Sequence, residues 1–328
     1  MEKEGYIASL KSTETEDWLD FHVVRPFCYQ LARFFAKFGI HPNTITVWSM
    51  IIGAGSCYFF AHGSFYYEGW KGFVYNLIAV FLLIWADLFD CTDGQLARLT
   101  GQKSRLGRIL DGTAGFVWFI AIYSAIAYRF YLHHDLEFGW LGIDNTPENS
   151  MIAGLTAVVL AIISGVWCMG GQTRLADYYI QVHLFFLKGE KGSELDTSLR
   201  QQEIYDQTPW KGNLAWKTFL KTYVGYTRKQ EKATPHFQKL MDIIRRKFGG
   251  IENVPESVRK DFHDESLAII KWNGLLTFNF RSAVFFLMCL LDVPVFNFLF
   301  EIVAMSLLAW YVNRRHESLC KRISQNIL

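Results

Sequence analysis

The chain has 328 residues, a formal net charge of +2, 51% hydrophobic and 16% aromatic residues. A charge balance so near zero implies no global electrostatic partner, nucleic acid included. The mean hydropathy of +0.12 looks soluble, but it averages over windows of about 20 residues nearly free of charge and polar stretches between them. The pattern is that of an all-α, polytopic membrane protein with one sizeable polar insert.

In chain order, residues 1–40 read as a polar tail followed by an amphipathic helix at 16–38. The tail has no apolar core or cleavage site, so no signal peptide is expected. The helix carries Arg25, Arg33 and Lys37 among aromatic and aliphatic residues, which suits a membrane surface. HPNTIT, residues 41–46, is a turn and a helix start. Six apolar runs long enough to cross a bilayer follow, at 44–62, 73–92, 108–131, 150–170, 272–291 and 295–313. The link at 93–107 carries Arg98, Lys103 and Arg105, and the C-terminus carries Arg314, Arg315, Lys321 and Arg322. By the positive-inside rule, both termini and that link face the cytoplasm. The fourth run continues as a helix into residues 171–188, closing a core at 41–188. A charged insert at 189–270, with helical stretches near 212–248 and 256–270, should form a cytoplasmic helical cap. Residues 271–328 hold the last two spans and a tail. The cysteines Cys28, Cys57, Cys91, Cys168, Cys289 and Cys320 lack zinc spacing and read as reduced packing residues.

The chemistry concentrates at 85–115, WADLFDCTDGQLARLTGQKSRLGRILDGTAG. Asp87, Asp90 and Asp93 are three apart on one helix, and Asp111 lies one turn into the next, antiparallel span. Carboxylates that converge in a low dielectric cannot all stay ionised alone. A divalent cation resolves the conflict, and oxygen ligation suits Mg²⁺ or Mn²⁺. Gly94, Ala97 and Gly107 permit close approach of helices or of a bulky ligand, and Arg98 suits phosphate. Spacing alone leaves three readings open: a metal–phosphate enzyme, an ion pathway lined by the aspartates, or structural pairing with arginines.

The run Asp90-Cys91-Thr92-Asp93-Gly94, Ala97-Arg98, eight residues, Gly107 and Asp111 resembles the signature of the CDP-alcohol phosphotransferase (CDP-alcohol phosphatidyltransferase) family. Pro42 to Thr46, PNTIT, resembles the motif that opens the first span in that family. The resemblance covers about residues 20–180 and leaves out the insert. It implies attack by a hydroxyl on the phosphorus of a CDP-activated alcohol with loss of CMP, in phospholipid or related lipid synthesis. It assigns Asp90, Asp93 and Asp111 to the metal, and Asp90, Gly94, Ala97, Arg98 and Gly107 to the CDP group. One of the two substrates is expected to be a lipid, and a homodimer is compatible with the pattern.

One position departs. The family's fourth aspartate, four residues after the third, is Gly115 here. Either catalysis is lost, leaving a nucleotide- or metal-binding relative, or another carboxylate substitutes. Asp87 is the substitute expected. Moving from Asp90 to Asp87 and from Asp111 to position 115 both go one turn deeper, on facing helices. Asp87 and Asp111 are thus the catalytic candidates. Arg174, with Asp177 and Tyr178 a turn on, reads equally as an acceptor-phosphate ligand or a snorkelling arginine. Arg281 lies inside the fifth span and needs a partner there: a site aspartate, a substrate phosphate or Glu301. A pocket role for Arg281, with an inositol- or glycerol-type head group, is the expectation. His183 is expected to be a packing or surface residue.

Overall fold

A computed structural model of the chain describes residues 6, 14–15, 18–102, 104–139, 143–144 and 146–327. Most of the polar N-terminal tail, and Lys103 of the basic link, lie outside the described residues. Helices make up most of the described residues, with no strand among them, and six are long and apolar enough to cross a membrane. The expected all-α polytopic bundle is therefore what the chain forms. Two compact units divide it, one of residues Met1–Trp167 with Ser282–Ile302, the other of Cys168–Arg281 with Val303–Leu328.

The first unit begins with a π-turn at Asp20–Val24 that runs into α1, Arg25–Lys37. Helix α1 buries Cys28, Tyr29, Ala32 and Phe35 and leaves Phe27 and Phe34 exposed. Its apolar surface is thus wider than the stripe it buries. Helix α2 is Pro42–Ala61, α3 is Trp70–Thr100 and α4 is Arg105–His133. Pro42 sits in the first turn of α2, where its missing N–H costs nothing, and the His41 ring accepts the N–H of Asn43 at 3.1 Å. The basic link is shorter than the apolar pattern suggests. Helix α3 runs on through the polar residues to Thr100 and stops at Gly101, whose φ of 71° is the left-handed cap that glycine adopts without strain. Ser104 then caps α4 by accepting the N–H of Gly107 at 2.9 Å. The fourth apolar run starts as α5, Pro147–Ile162, and leaves the unit through a π-turn at Ile163–Met169.

At the end of this unit away from the 101–104 turn, the buried Arg129 of α4 pairs with Asp292. Asp292 also accepts from the Ser64 hydroxyl at 2.9 Å and the Tyr66 N–H at 2.8 Å. Asn76 of α3 donates to the Cys289 carbonyl at 2.9 Å. Glu137 accepts the N–H of Val295 at 2.8 Å. The bonds reach residues 289–295 from α3, α4, the 64–66 stretch and the short helix Asp135–Phe138, so this segment is held on several sides.

In the second unit, α6 is Gly170–Lys188, α7 Ser198–Gln207, α8 Leu214–Ala233, α9 Pro235–Phe248 and α10 Glu256–Gly274. The stretch expected as one helix at 212–248 breaks at Thr234, because Pro235 has no N–H to continue the ladder. The turn at 275–277 divides the fifth apolar run, so that α11 is Phe278–Leu290 and begins after it. Helix α12, Phe296–Ile327, is the last. Phe186 stacks on Phe262 at 3.7 Å, and Arg259 donates to the terminal carbonyls of α6 at Phe186 and Leu187. His183 is fully buried against the Ser266 hydroxyl at 2.7 Å, a packing residue as expected.

Candidate functional site

The aspartates sit where α2, α3 and α4 come together in the first unit. Ala32 and Phe35 of α1, Ile45 of α2 and Phe89 and Leu96 of α3 form the apolar cluster beside them. Each of those residues is within a turn or so of a polar one, so core packing fixes the register of the polar side chains. Asp93 is 5% exposed and accepts a hydrogen bond from the hydroxyl of Thr46, itself buried. Asp111 is among the charges that act on both Asp90 and Asp93. Oδ1 of Asp90 is buried and takes no hydrogen bond among the described residues. A buried carboxylate oxygen without a donor, beside two further carboxylates, is the arrangement a cation completes. The donor set is all oxygen, which fits a hard divalent metal.

The small residues lie around this cluster. Arg98 folds back along α3, so that a Cβ on Gly94 would lie 3.5 Å from its guanidinium nitrogen. Arg98 also acts on Asp93. A Cβ on Gly107 would lie 2.8 Å from Oδ1 of Asn43 and 3.1 Å from the Ser104 hydroxyl, so α2 and α4 approach closely there. Asp90, Asp93, Gly94, Ala97 and Arg98 all belong to α3, and Gly107 and Asp111 to α4.

Asp87 faces other company. Asp20 of the π-turn and Arg25 of α1 are the charges that act on it, while Asp87 in turn acts on Asp90. Arg25 also donates to the Cys91 sulfur at 3.3 Å. A Cβ on Gly115 would meet nothing within 4 Å, so the space is open and the Asp87 side chain does not fill it. The sequence assigns Thr46, Asn43, Asp20 and Arg25 no individual part in the aspartate cluster. The PNTIT motif contains the first two, whereas nothing local links Asp20 to Asp87.

Arg174 and Arg281 belong to the second unit. Arg174 lies 5.9 Å from the Tyr226 ring, and its carbonyl accepts from Gln230 at 3.0 Å. Arg281 is 4% exposed, and donates from Nε to the Leu276 carbonyl at 3.0 Å and from Nη2 to Oε1 of Gln172 at 2.7 Å.

Comparison with known proteins bears on the same stretch. An uncharacterized protein of Aquifex aeolicus (strain VF5) is 34% identical over 85 residues, 25% of this chain. The chain spans 37% of that curated relative's length. No solved structure matches. The family model described as CDP-alcohol phosphatidyltransferase matches residues 39–177, from the turn before α2 to the first half of α6. That range holds every aspartate of the cluster, and it is over residues 39–177 that this chain matches the CDP-alcohol phosphatidyltransferase family.

Proposed function

We propose that the protein is a membrane-embedded phosphotransferase that moves a substituted phosphate from a CDP-alcohol to a hydroxyl acceptor and releases CMP, in phospholipid or related lipid synthesis. The observation that carries this reading is the convergence of Asp90, Asp93 and Asp111, one buried oxygen of Asp90 lacking a donor, within the family's segment. The family is generally dependent on a divalent metal. In this chain Asp90, Asp93 and Asp111 would hold it as Mg²⁺ or Mn²⁺. When bound, the ion neutralises charge on the pyrophosphate and on the departing CMP. Thr46 orients Asp93 by fixing one carboxylate oxygen. Arg98 meets the nucleotide phosphate beside Gly94, and Gly107 leaves room against Asn43. We assign the site to the cytoplasmic face, with both termini on the same side, on the basic residues of the 93–107 link and the C-terminus.

The fourth carboxylate of the family is absent at Gly115, and Asp87 is the remaining carboxylate of the ladder. We assign it the acceptor's proton, on its place beside Asp90. Arg174 and Arg281 are assigned to a phosphorylated polar substrate of the inositol- or glycerol-phosphate type. The Gln172 and Leu276 contacts of Arg281 would then orient its guanidinium. The open space at Gly115 favours one alternative, a non-catalytic relative that binds nucleotide and metal.

Purified protein given a panel of CDP-alcohols and acceptors decides between them. The enzyme releases CMP only with a matching pair. Asp87→Asn should lose at least 100-fold in rate, and adding Gly115→Asp should restore part of it. Full activity in Asp87→Asn removes its role. A silent wild type switched on by Gly115→Asp identifies Gly115 as an inactivating replacement.

A further inference from the structure

His316, Glu317 and Cys320 lie on α12 beyond Arg314 and Arg315, outside the apolar part of that helix. All three are buried, His316 to 2% exposure and Cys320 to 0%. Cys320 Sγ is 3.8 Å from His316 Nδ1, and Nδ1 is 3.6 Å from Glu317 Oε1. The three potential donor atoms lie within 4.8 Å of one another.

We infer that His316, Glu317 and Cys320 form a zinc site on α12, distinct from the aspartate cluster, whose carboxylate also caps the start of α9. The distances are compatible with a shared ion. Zinc bonds of about 2.3 Å to sulfur and about 2.1 Å to nitrogen or oxygen put tetrahedral neighbours about 3.6 Å (S to N) and about 3.4 Å (N to O) apart. These two separations exceed those values by about 0.2 Å each, and the sulfur-to-carboxylate separation is within 4.8 Å, so side-chain rotations would have to draw the three donors together around an ion. A nitrogen, an oxygen and a sulfur together suit zinc and not magnesium, which takes oxygen. A thiolate and a carboxylate balance two positive charges, so the buried site is neutral when filled. The ligands are also held. His316 packs on Tyr179 at 4.4 Å between centroids, and Glu317 accepts the N–H groups of His236 at 2.6 Å and Phe237 at 3.3 Å. Those N–H groups open α9, so the carboxylate caps that helix while it offers a lone pair to the ion. Three protein ligands leave one coordination position to a non-protein donor.

The inference is independent of the enzymatic reading and is tested without activity. Full-length protein in detergent is stripped with a chelator and titrated with Co²⁺. The expected result is a near-ultraviolet thiolate-to-cobalt absorption equivalent to one thiolate-bound cobalt per chain, apart from any cobalt held by the aspartate cluster, and bleached by Zn²⁺. Cys320→Ser should abolish that absorption. Cys91→Ser, which changes the sulfur near Asp87, should keep it and serves as the control if Cys320→Ser fails to fold. A wild type without the thiolate band overturns the proposal. So does a band that survives in Cys320→Ser or disappears in Cys91→Ser.

Discussion

At the residue scale, the Thr46 hydroxyl is the side chain that fixes Asp93. Its other acceptor is the Pro42 carbonyl at 3.3 Å, and one hydroxyl proton cannot serve both. Thr46→Val keeps the shape and removes the donor, freeing Asp93 to turn. Loss of such an orienting bond costs about 10- to 100-fold in metal affinity. Metal titration followed by thermal shift should show a weakened midpoint in Thr46→Val and a near-normal one in Thr46→Ser. Equal midpoints in all three proteins would remove the positioning role. The grouping of Asp90, Asp93 and Asp111 was legible in the sequence because the aspartates and glycines keep fixed intervals. The surroundings of Asp87 were not. Three residues advance a helix by about 300°, so each step along the ladder drifts by about 60° and Asp87 ends about 120° from Asp93. That rotation turns it toward α1, and only the folded chain brings Asp20 and Arg25 to meet it.

At the element scale, helix ends decide where the site residues sit. The apolar run that marks the second span fades near residue 92, yet α3 continues to Thr100. Hydropathy reports the membrane and not the helix, so the motif residues from Asp93 to Arg98 looked like a link. The true punctuation is Gly101 at φ 71° and the Ser104 cap. Gly101→Val places a branched residue in the left-handed region, at about 1–2 kcal/mol. Its melting temperature should fall by a few degrees, whereas Gly101→Asn should stay near wild type. Across the turn, Gly107→Val drives a side chain to within 2.8 Å of the Asn43 amide oxygen. Both substitutions alter the α3–α4 turn, but only Gly107→Val enters the space beside Asn43. It should raise the CDP-alcohol concentration needed for half-maximal rate at least tenfold, with a smaller change in Gly101→Val. In the insert, α7 was missed because its sequence, SLRQQEIYDQ, is polar all round, and the Thr234-Pro235 break was hidden inside a helical composition.

At the scale of the molecule, six long apolar helices and an N-terminal helix were legible from charge segregation alone. The bonds that hold the first unit together away from the aspartates were not, because they join residues far apart in the chain. Glu137 belongs to this group. Burial pushes its carboxyl up to about 8, against favourable contributions from the Val295 N–H and Arg129. The folded state therefore holds a proton there that the unfolded chain releases near pH 4.5. Since the native state binds more protons in that window, its stability falls as pH rises from about 4.5 to about 8. Glu137→Gln keeps an acceptor for Val295 and cannot ionise. Its melting temperature should fall less than that of the wild type between pH 5 and pH 9, a range chosen to span the window. Parallel curves for the two proteins would remove Glu137 as the source.

The central claim, that Asp90, Asp93 and Asp111 form the metal site of a CMP-releasing enzyme, is tested most directly by CMP release from chelator-treated protein in the presence of a matching donor and acceptor. The account predicts no release without metal, recovery on addition of Mg²⁺ or Mn²⁺, and a loss of more than 100-fold in Asp93→Ala at every metal concentration. Release that persists after chelation, or an Asp93→Ala variant as fast as the wild type, would contradict it.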